Sequence, residues 1–456
     1  MNNLKYILVA AIVSTSMTGC GLYSNYTRTV DEQMVDGLYD YTKASDESEN
    51  LATLSWRELF ADPYLQALIE EALESNTDLN VARLSVEQAE ISLATARKAF
   101  LPSLSFSPQG TISSFQGSTT KSYTTPLTAS WEVDIFGKLR NAKEQSKAAL
   151  EQSTAYRQAV QTQLIATLAG SYYSLLMLDE QLSISEQTQQ NWAENLRVME
   201  AMLKAGRINE TAVLQSRASN ISLSSQIVTI KEQIAALENS ISALLAKPTV
   251  EIQRGTIFEC EFPEELSVGL PIELLCNRPD VRMAESNLAE AFYATSEARS
   301  SLYPSITLSG SAGFTNASGS ITNPSDMLYS AVGSLVQPIF QRGALRAQLK
   351  ISEAQQEQAL LQFNQSIIDA GTEVNNALSE WQGAQERLEY ADQQVELLAA
   401  TLSKTELLMK YGSATYIEVL TAQLTLLQAD LSSVNEIYNK AQGVINLYRA
   451  LGGGEE

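Results

Sequence analysis

Residues 77–106 read TDLNVARLSVEQAEISLATARKAFLPSLSF, and residues 279–308 read PDVRMAESNLAEAFYATSEARSSLYPSITL. Asp78-Leu79, Arg97 and Leu101-Pro102-Ser103 of the first stretch return as Asp280-Val281, Arg299 and Tyr303-Pro304-Ser305, 202 positions later. Ile135-Phe136 returns as Ile339-Phe340 at 204, and Ala205-Gly206 with Val213-Leu214 returns as Tyr411-Gly412 with Val419-Leu420 at 206. Two copies of one structural unit therefore share the polypeptide, and self-similarity at a fixed spacing outranks local propensity as a fold signal. Each copy reads helix, two strands, very long helix, turn, helix. Repeat 1 covers 55–250 and repeat 2 covers 278–451, with a linker at 251–277 and a tail at 452–456.

The strands carry a period of two. Leu104, Phe106, Gly110 and Ile112 alternate with Ser103, Ser105, Ser107, Gln109, Thr111 and Ser113. In repeat 2, Ile306, Leu308, Gly310, Ala312 and Phe314 alternate with Ser305, Thr307, Ser309, Ser311 and Thr315. Leu127, Ala129, Trp131, Val133 and Ile135 alternate with Thr128, Ser130, Glu132 and Asp134. Such alternation predicts half-buried strands rather than helices. The fourth strand, residues 327–340, alternates poorly and is placed from its repeat position. Turn-rich segments, Gln116–Pro126 and Asn316–Pro324, are expected to separate the strands of each pair. The polar faces are mostly uncharged Ser and Thr, as a water-filled lumen tolerates, and each strand has the roughly 9 to 11 residues needed to cross a bilayer. Four strands cannot close a barrel, and an open edge does not survive in hydrocarbon. Membrane-spanning strands here would have to be pooled from several chains. Since barrels start at about eight strands, a dimer is the minimum and a trimer would supply twelve.

The helices ask for length. No proline interrupts Lys138–Lys204 or Ala344–Lys410, and the two runs match in length. At roughly 1.5 Å per residue each would extend about 100 Å. Leu223, Ile227, Ile230, Ile234, Leu237, Ile241 and Leu244 follow a strict 3-4 spacing. So do Ile417, Leu420, Leu424, Leu427, Leu431, Val434, Tyr438, Ala441, Ile445 and Tyr448. Seams of this length predict coiled-coil packing. Gly206 and Gly412 stand where a left-handed residue ends the outgoing helix. Lys204, Arg207 and Lys410 lie near its negative pole, where a cation caps favourably.

Lys5, the apolar run Ile7–Val13 and the small residues Ser16-Met17-Thr18-Gly19 before Cys20 form a secretory signal over residues 1–19. Cys20 is either the lipidated first residue of a bacterial lipoprotein or an incidental cysteine after an ordinary signal. Residues 20–54 form a polar, acidic arm. No later segment is apolar and long enough for a transmembrane helix. A net charge of −22 makes nucleic acid or an anionic lipid surface a poor partner. Cys260 and Cys276 could be bridged, as export permits, or could remain two buried thiols. The absence of histidine removes Ser-His-Asp and Cys-His catalysis and the commonest metal ligand. No enzyme, cofactor or metal site is expected.

Three pieces of sequence, in order within the duplicated frame, resemble the outer membrane factor family, the TolC-like efflux ducts, in its lipoprotein branch. Trp131-Glu132-Val133-Asp134-Ile135-Phe136-Gly137-Lys138-Leu139-Arg140 resembles the family's strand-to-helix signature. Gly269–Val281, ending in Arg278-Pro279-Asp280, is similar to its inter-repeat motif. Tyr411-Gly412-Ser413 with Ile417–Gln423 resembles its helical tip. The resemblance covers about residues 55–451. It implies a mainly α protein with a membrane β-barrel contribution: a homotrimer whose twelve strands form one outer-membrane barrel and whose twelve helices form a periplasmic tunnel. It further implies a Gram-negative outer-membrane location, with lipid around the barrel, and an inner-membrane pump and periplasmic adaptor at the tips. Small toxic compounds are the expected cargo. Protein secretion of the type I kind, or a non-conducting trimeric coiled-coil stalk, are the alternatives.

The same resemblance places a periplasmic gate at Glu418 and Thr421. Family members often carry two acidic residues three apart; here Thr421 replaces the second, so a weaker ion block is implied. The plainer reading of Glu418 is a solvated helix face. Adaptor docking would fall on Ala205, Gly206 and Arg207 and on Tyr411, Gly412 and Ser413. Arg278, Pro279 and Asp280 read as structural, because Pro279 suits a first helical turn and Asp280 complements the helix dipole.

Overall fold

The computed structural model describes residues 24–28, 55–249, 251–259, 277–316 and 326–453. Cys20, Cys260 and Cys276 lie outside these residues. In chain order the elements are α1 (Trp56–Leu59), α2 (Pro63–Ser75), α3 (Thr77–Lys98), β1 (Ser103–Phe106), β2 (Gln109–Phe115), β3 (Ser118–Val133), α4 (Lys138–Lys204) and α5 (Glu210–Leu244). After a short 3-10 turn at Ile257–Glu259 follow α6 (Pro279–Ser300), β4 (Ser305–Thr315), β5 (Asp326–Val336), α7 (Ala344–Lys410) and α8 (Tyr416–Ala450). The helices α4 and α7 are both 67 residues long, and α5 and α8 both 35.

The chain divides into two compact units, each drawing on both repeats. The first contains the antiparallel sheet, ordered β1/β2–β3–β4–β5. β1 and β2 pair with β3 in one continuous register. They are one strand interrupted at Pro108, which has no N–H to give to a ladder. The first hairpin turn is tighter than its composition suggests. It consists of Gln116 and Gly117, both at positive φ (48° and 83°), the geometry of a two-residue hairpin loop. The expected turn through Pro126 is therefore corrected: residues 118–133 are a single strand with Pro126 inside it. Pro126 sits there because it faces Gly313, the residue without a Cβ, on β4.

The strand-to-helix signature has a local cause. Gly137 adopts φ +77°, and Asp134 accepts the Leu139 and Arg140 N–H groups at 3.1 Å each. These are two of the donors that a helix start leaves unpaired. Lys138 closes the turn on Glu132 at 3.2 Å.

The second unit holds α5 and α8 with the stretches of α4 from Tyr156 and of α7 from Ile367. α5 returns along α4 through Arg217–Glu200 and Lys231–Glu186 pairs at 2.7 Å each. α8 returns along α7 through Arg387–Glu436 at 2.9 Å and the Ser433–Asp392 hydrogen bond at 2.9 Å. At Gly443 the approach is close, since an added Cβ would lie 2.9 Å from the Trp381 Cα. Of the α8 seam, Leu420, Leu427, Val434, Ala441, Ile445 and Tyr448 are buried, whereas Ile417 and Leu424 stay 52% and 41% exposed. Of the α5 seam, Leu223, Ile227, Ile230 and Ile241 are buried. Trp192, Leu223, Ile227 and Leu427 form one cluster tying α4, α5 and α8 together.

Both repeats end their last helix with the same 6→1 and 5→2 hydrogen bonds, Lys247 to Ser242 and Ala246 to Ala243 in one, Gly453 to Tyr448 and Gly452 to Arg449 in the other. The left-handed residue is Gly452 (φ +103°) in repeat 2 but Ala246 (φ +53°) in repeat 1. A Cβ in that region costs about 1–2 kcal/mol, part of which a glycine gives back in chain entropy. Ala246→Gly is expected to stabilise the end of α5 by about 0.5–1 kcal/mol. Hydrogen exchange of its last-turn amides should slow accordingly; faster exchange in the variant would contradict the account.

Candidate functional site

The sheet is a wall with two chemically distinct faces. Residues paired across antiparallel strands share a face, so the register sorts them into rows. Phe106, Leu127, Ala312 and Tyr329 form one row, and Leu104, Ala129, Gly310 and Ala331 the next. Trp131, Leu308 and Gly333, then Val133, Ile306 and Leu335, continue this apolar face. The opposite face carries Ser105, Thr128, Ser311 and Ser330 in one row and Ser103, Ser130, Ser309 and Val332 in another. β5 alternates poorly because Leu328, Val332 and Val336 also occupy this second face. Its own apolar set is fixed by pairing with β4.

The hydroxyls are hydrogen-bonded along the wall. Ser311 and Ser330 meet at 2.8 Å, and Ser103 and Ser334 donate to the Ser130 and Thr307 carbonyls at 3.1 and 3.3 Å. The rows through Thr128 and Ser130 carry no charge. The apolar face is uncovered: Leu104, Phe106, Ile112 and Tyr329 are 65–80% exposed. A contiguous apolar surface of this kind marks a face that meets lipid or a partner. The outer sides of β1/β2 and β5 pair with no strand among the described residues. In hydrocarbon such edges must be paired. Among the described residues no helix is long and apolar enough to cross a membrane. At the sheet margin Trp131 donates its indole N–H to the Phe100 carbonyl at 2.9 Å, and Phe136 stacks on Tyr303 with centroids 5.1 Å apart. The amphipathic rings of Trp131 and Tyr303 suit a membrane interface.

The two helical turns have one geometry. Gly206 (φ +70°) and Gly412 (φ +78°) are the left-handed residues. Arg207 donates to Met202 and Gly206 to Leu203, as Ser413 does to Leu408 and Gly412 to Met409, all at 2.9–3.0 Å. This double bond satisfies the last carbonyls of α4 and α7. Ala205, Gly206, Arg207, Tyr411, Gly412 and Ser413 are all exposed. Tyr416 Oη reaches Ser216 Oγ at 3.3 Å, linking the start of α8 to α5.

Glu418 lies one turn into α8 and folds back on its start. Its Oε2 accepts the Thr415 N–H at 2.5 Å and the Thr415 hydroxyl at 3.0 Å. The Thr415 backbone and side-chain bonds hold its pKa below the ordinary glutamate value. Thr421, one turn further, gives its hydroxyl to the Ile417 carbonyl at 2.8 Å. The Thr415-x-x-Glu418 spacing is a capping-box signature, a signal that a gate reading passes over.

Arg278 is 5% exposed. It holds Asp280 with two bonds (2.9 and 2.6 Å), Glu373 of α7 at 2.8 Å and the Ala450 carbonyl of α8 at 2.8 Å. Burial alone would lower its pKa, but the bonds to Asp280 and the charge of Glu373 carry it above the ordinary arginine value. Pro279 opens α6. A second clasp has no sequence signal. Arg254, in the segment before the 3-10 turn, binds Asp179 of α4 at 2.5 and 3.0 Å and Glu238 of α5 at 2.6 Å. Its partners lie 75 and 16 positions away, so only the folded chain reveals them.

The sequence profile of outer membrane efflux proteins matches residues 68–247 and 270–453. The cation efflux system protein CusC of Escherichia coli K12 is 30% identical over 457 residues, covering 98% of this chain and 99% of its own. The probable outer membrane lipoprotein SilC of Salmonella typhimurium is 32% identical over 409 residues, 88% of either chain. Among solved structures, the outer-membrane channel OprN superposes with a TM-score of 0.85 at 27% identity, over 95% of this chain and 99% of its own.

Proposed function

Because this chain belongs to the outer membrane efflux protein family, we propose that it is a passive exit duct in the outer membrane, conducting small toxic solutes delivered by an inner-membrane pump through a periplasmic adaptor. The observation that carries this is the two-faced sheet with both edges open. Three copies would supply twelve strands, apolar rows toward lipid and hydroxyl rows toward water. Twelve helices would then continue the passage into the periplasm. Exposed apolar residues on the helices, among them Leu397, Leu407, Leu408, Ile417 and Leu424, suit packing against neighbouring copies. The chain has no chemistry of its own in this reading. Energy comes from the pump, and the gate works by movement of the tips.

The relative SilC is named a lipoprotein, which supports lipidation at Cys20. Ala205, Gly206, Arg207, Tyr411, Gly412 and Ser413 are the adaptor-facing residues. Glu418 serves both as cap and as cation attractor near the axis, with Thr421 as its uncharged neighbour. Three close carboxylates would push one another's pKa upward; the Thr415 bonds oppose that push and favour the ionised ring.

Planar-bilayer recording of the purified protein tests the reading. Discrete conductance steps with a cation preference are expected; a stalk or a binding protein would give none. The lowered pKa of Glu418 means the preference should persist as pH falls through the ordinary glutamate range, about 4.3, and disappear only below it. Glu418→Gln should reduce the preference at neutral pH while leaving the steps themselves. An unchanged cation-to-anion permeability ratio would remove Glu418 from the ion path without touching the duct itself.

A further inference from the structure

Along β3 the hydroxyl face carries Thr124, Pro126, Thr128 and Ser130, all uncharged, and then ends in Glu132. Glu132 pairs in register with Thr307, and Thr307 with Ser334, so all three share that face. Its side chain is 34% exposed and meets water. Past the left-handed Gly137, Lys138 opens α4 and brings its Nζ to Glu132 Oε1 at 3.2 Å. That lysine is itself 43% exposed. It also acts on Glu297 of α6: burial raises the Glu297 pKa, and the Lys138 charge pulls it back. The neighbouring Asp134 is already engaged. Its side chain is 7% exposed, accepts the Leu139 and Arg140 N–H groups and faces the Arg140 guanidinium at 3.5 Å.

Stability does not account for the Glu132–Lys138 pair, because exposed ion pairs contribute little. Its effect is on the field. An unpaired carboxylate at the rim of a passage concentrates cations and repels anions, and a lysine in contact with it cancels that field. We propose that Lys138 is a specificity-determining residue of the duct: in three copies, the Glu132–Lys138 pairs form a charge-balanced collar that leaves this end of the barrel indifferent to the sign of a solute's charge. Solutes of either sign pass the collar, and any preference is set elsewhere. This rests on the duct reading, with the hydroxyl rows toward water.

Reversal potentials across planar bilayers give the cation-to-anion permeability ratio and test the collar. At about 0.01 M salt, where a charge is felt over roughly 30 Å, Lys138→Gln should raise the ratio at least about twofold. Glu132→Gln should lower it, and the two substitutions together should return it to the wild-type value. Lys138→Arg should keep the wild-type ratio. At about 1 M salt, where the reach is roughly 3 Å, the shifts should vanish. Opposite shifts in the two single variants separate a field effect from a folding defect, which has no sign. The same shifts are expected in a Glu418→Gln background. Conductance steps with an unaltered ratio in both single variants, or shifts that persist at high salt, would overturn the collar and leave the duct standing. Absence of steps in the wild type would remove the duct itself, and the collar with it.

Discussion

Gly313→Val is expected to prevent the sheet from assembling. A Cβ at this position would lie 2.3 Å from the Thr125 carbonyl oxygen and 2.8 Å from the Pro126 Cα. Both are backbone atoms of the neighbouring strand, so no side chain can swing away to make room. The strands come this close because Gly313 and Pro126 pair directly at a non-hydrogen-bonded position, the narrower of the two antiparallel spacings; the Pro126 carbonyl turns the other way and accepts the Ser107 N–H. Relief would require β3 and β4 to part in the middle of their ladder. The expected cost exceeds about 3 kcal/mol, at the upper end for overpacking. Refolding into lipid vesicles, followed by heat-modifiability on gels, reads the folded fraction. Gly310→Ala is the control: its Cβ would meet the Ser330 carbonyl oxygen at 3.5 Å, an ordinary contact, and about 1 kcal/mol or less should be lost. Equal folding of Gly313→Val and wild type would mean that the pairing around Pro126 is misplaced.

Arg278→Met is expected to loosen the junction between the repeats by about 2–3 kcal/mol. Removing one member of a buried ion network can cost more than that. Here, however, Asp280 and Glu373 remain 49% and 48% exposed, and water would take over much of their solvation. What water does not restore is the bond to the Ala450 carbonyl. Gly452 also packs against this site, where a Cβ would meet the Asn277 carbonyl oxygen at 2.6 Å. Arg278→Lys should recover little, since an ammonium cannot hold Asp280 with two bonds while reaching Ala450. Glu373→Gln should cost about 1 kcal/mol or less for the same reason of exposure. Urea midpoints followed by helical circular dichroism, at fixed protein concentration, give the order. A loss in Arg278→Met no larger than that in Glu373→Gln would remove the arginine as the organising group.

Parts of the candidate site are legible in the chain and parts are not. Gly206 and Gly412 announce their turns, since a left-handed helix end asks for a residue without Cβ. The serine and threonine alternation announces a hydroxyl face. Glu418 shows how one residue can carry two signals: its spacing from Thr415 marks a cap, while its place in a tip motif suggests a gate. Pro126 misleads in the other direction, because proline within a run argues against a strand until the glycine opposite is known. The exposed Ile417 and Leu424 belong to a seam that periodicity alone cannot assign to the chain's own partner or to another copy.

Duplication, strand and helix periods, and the glycine turns follow from the amino-acid order itself, because each depends on neighbours two to four positions away or on self-comparison at one spacing. The face that β5 presents, the place of Pro126 and the bonds of Arg278 and Arg254 were decided only by the folded chain. Arg278 meets groups 95 and 172 positions distant, and such encounters are set by ladder register and helix crossing. A one-residue slip in either would exchange every partner, and no local pattern records it.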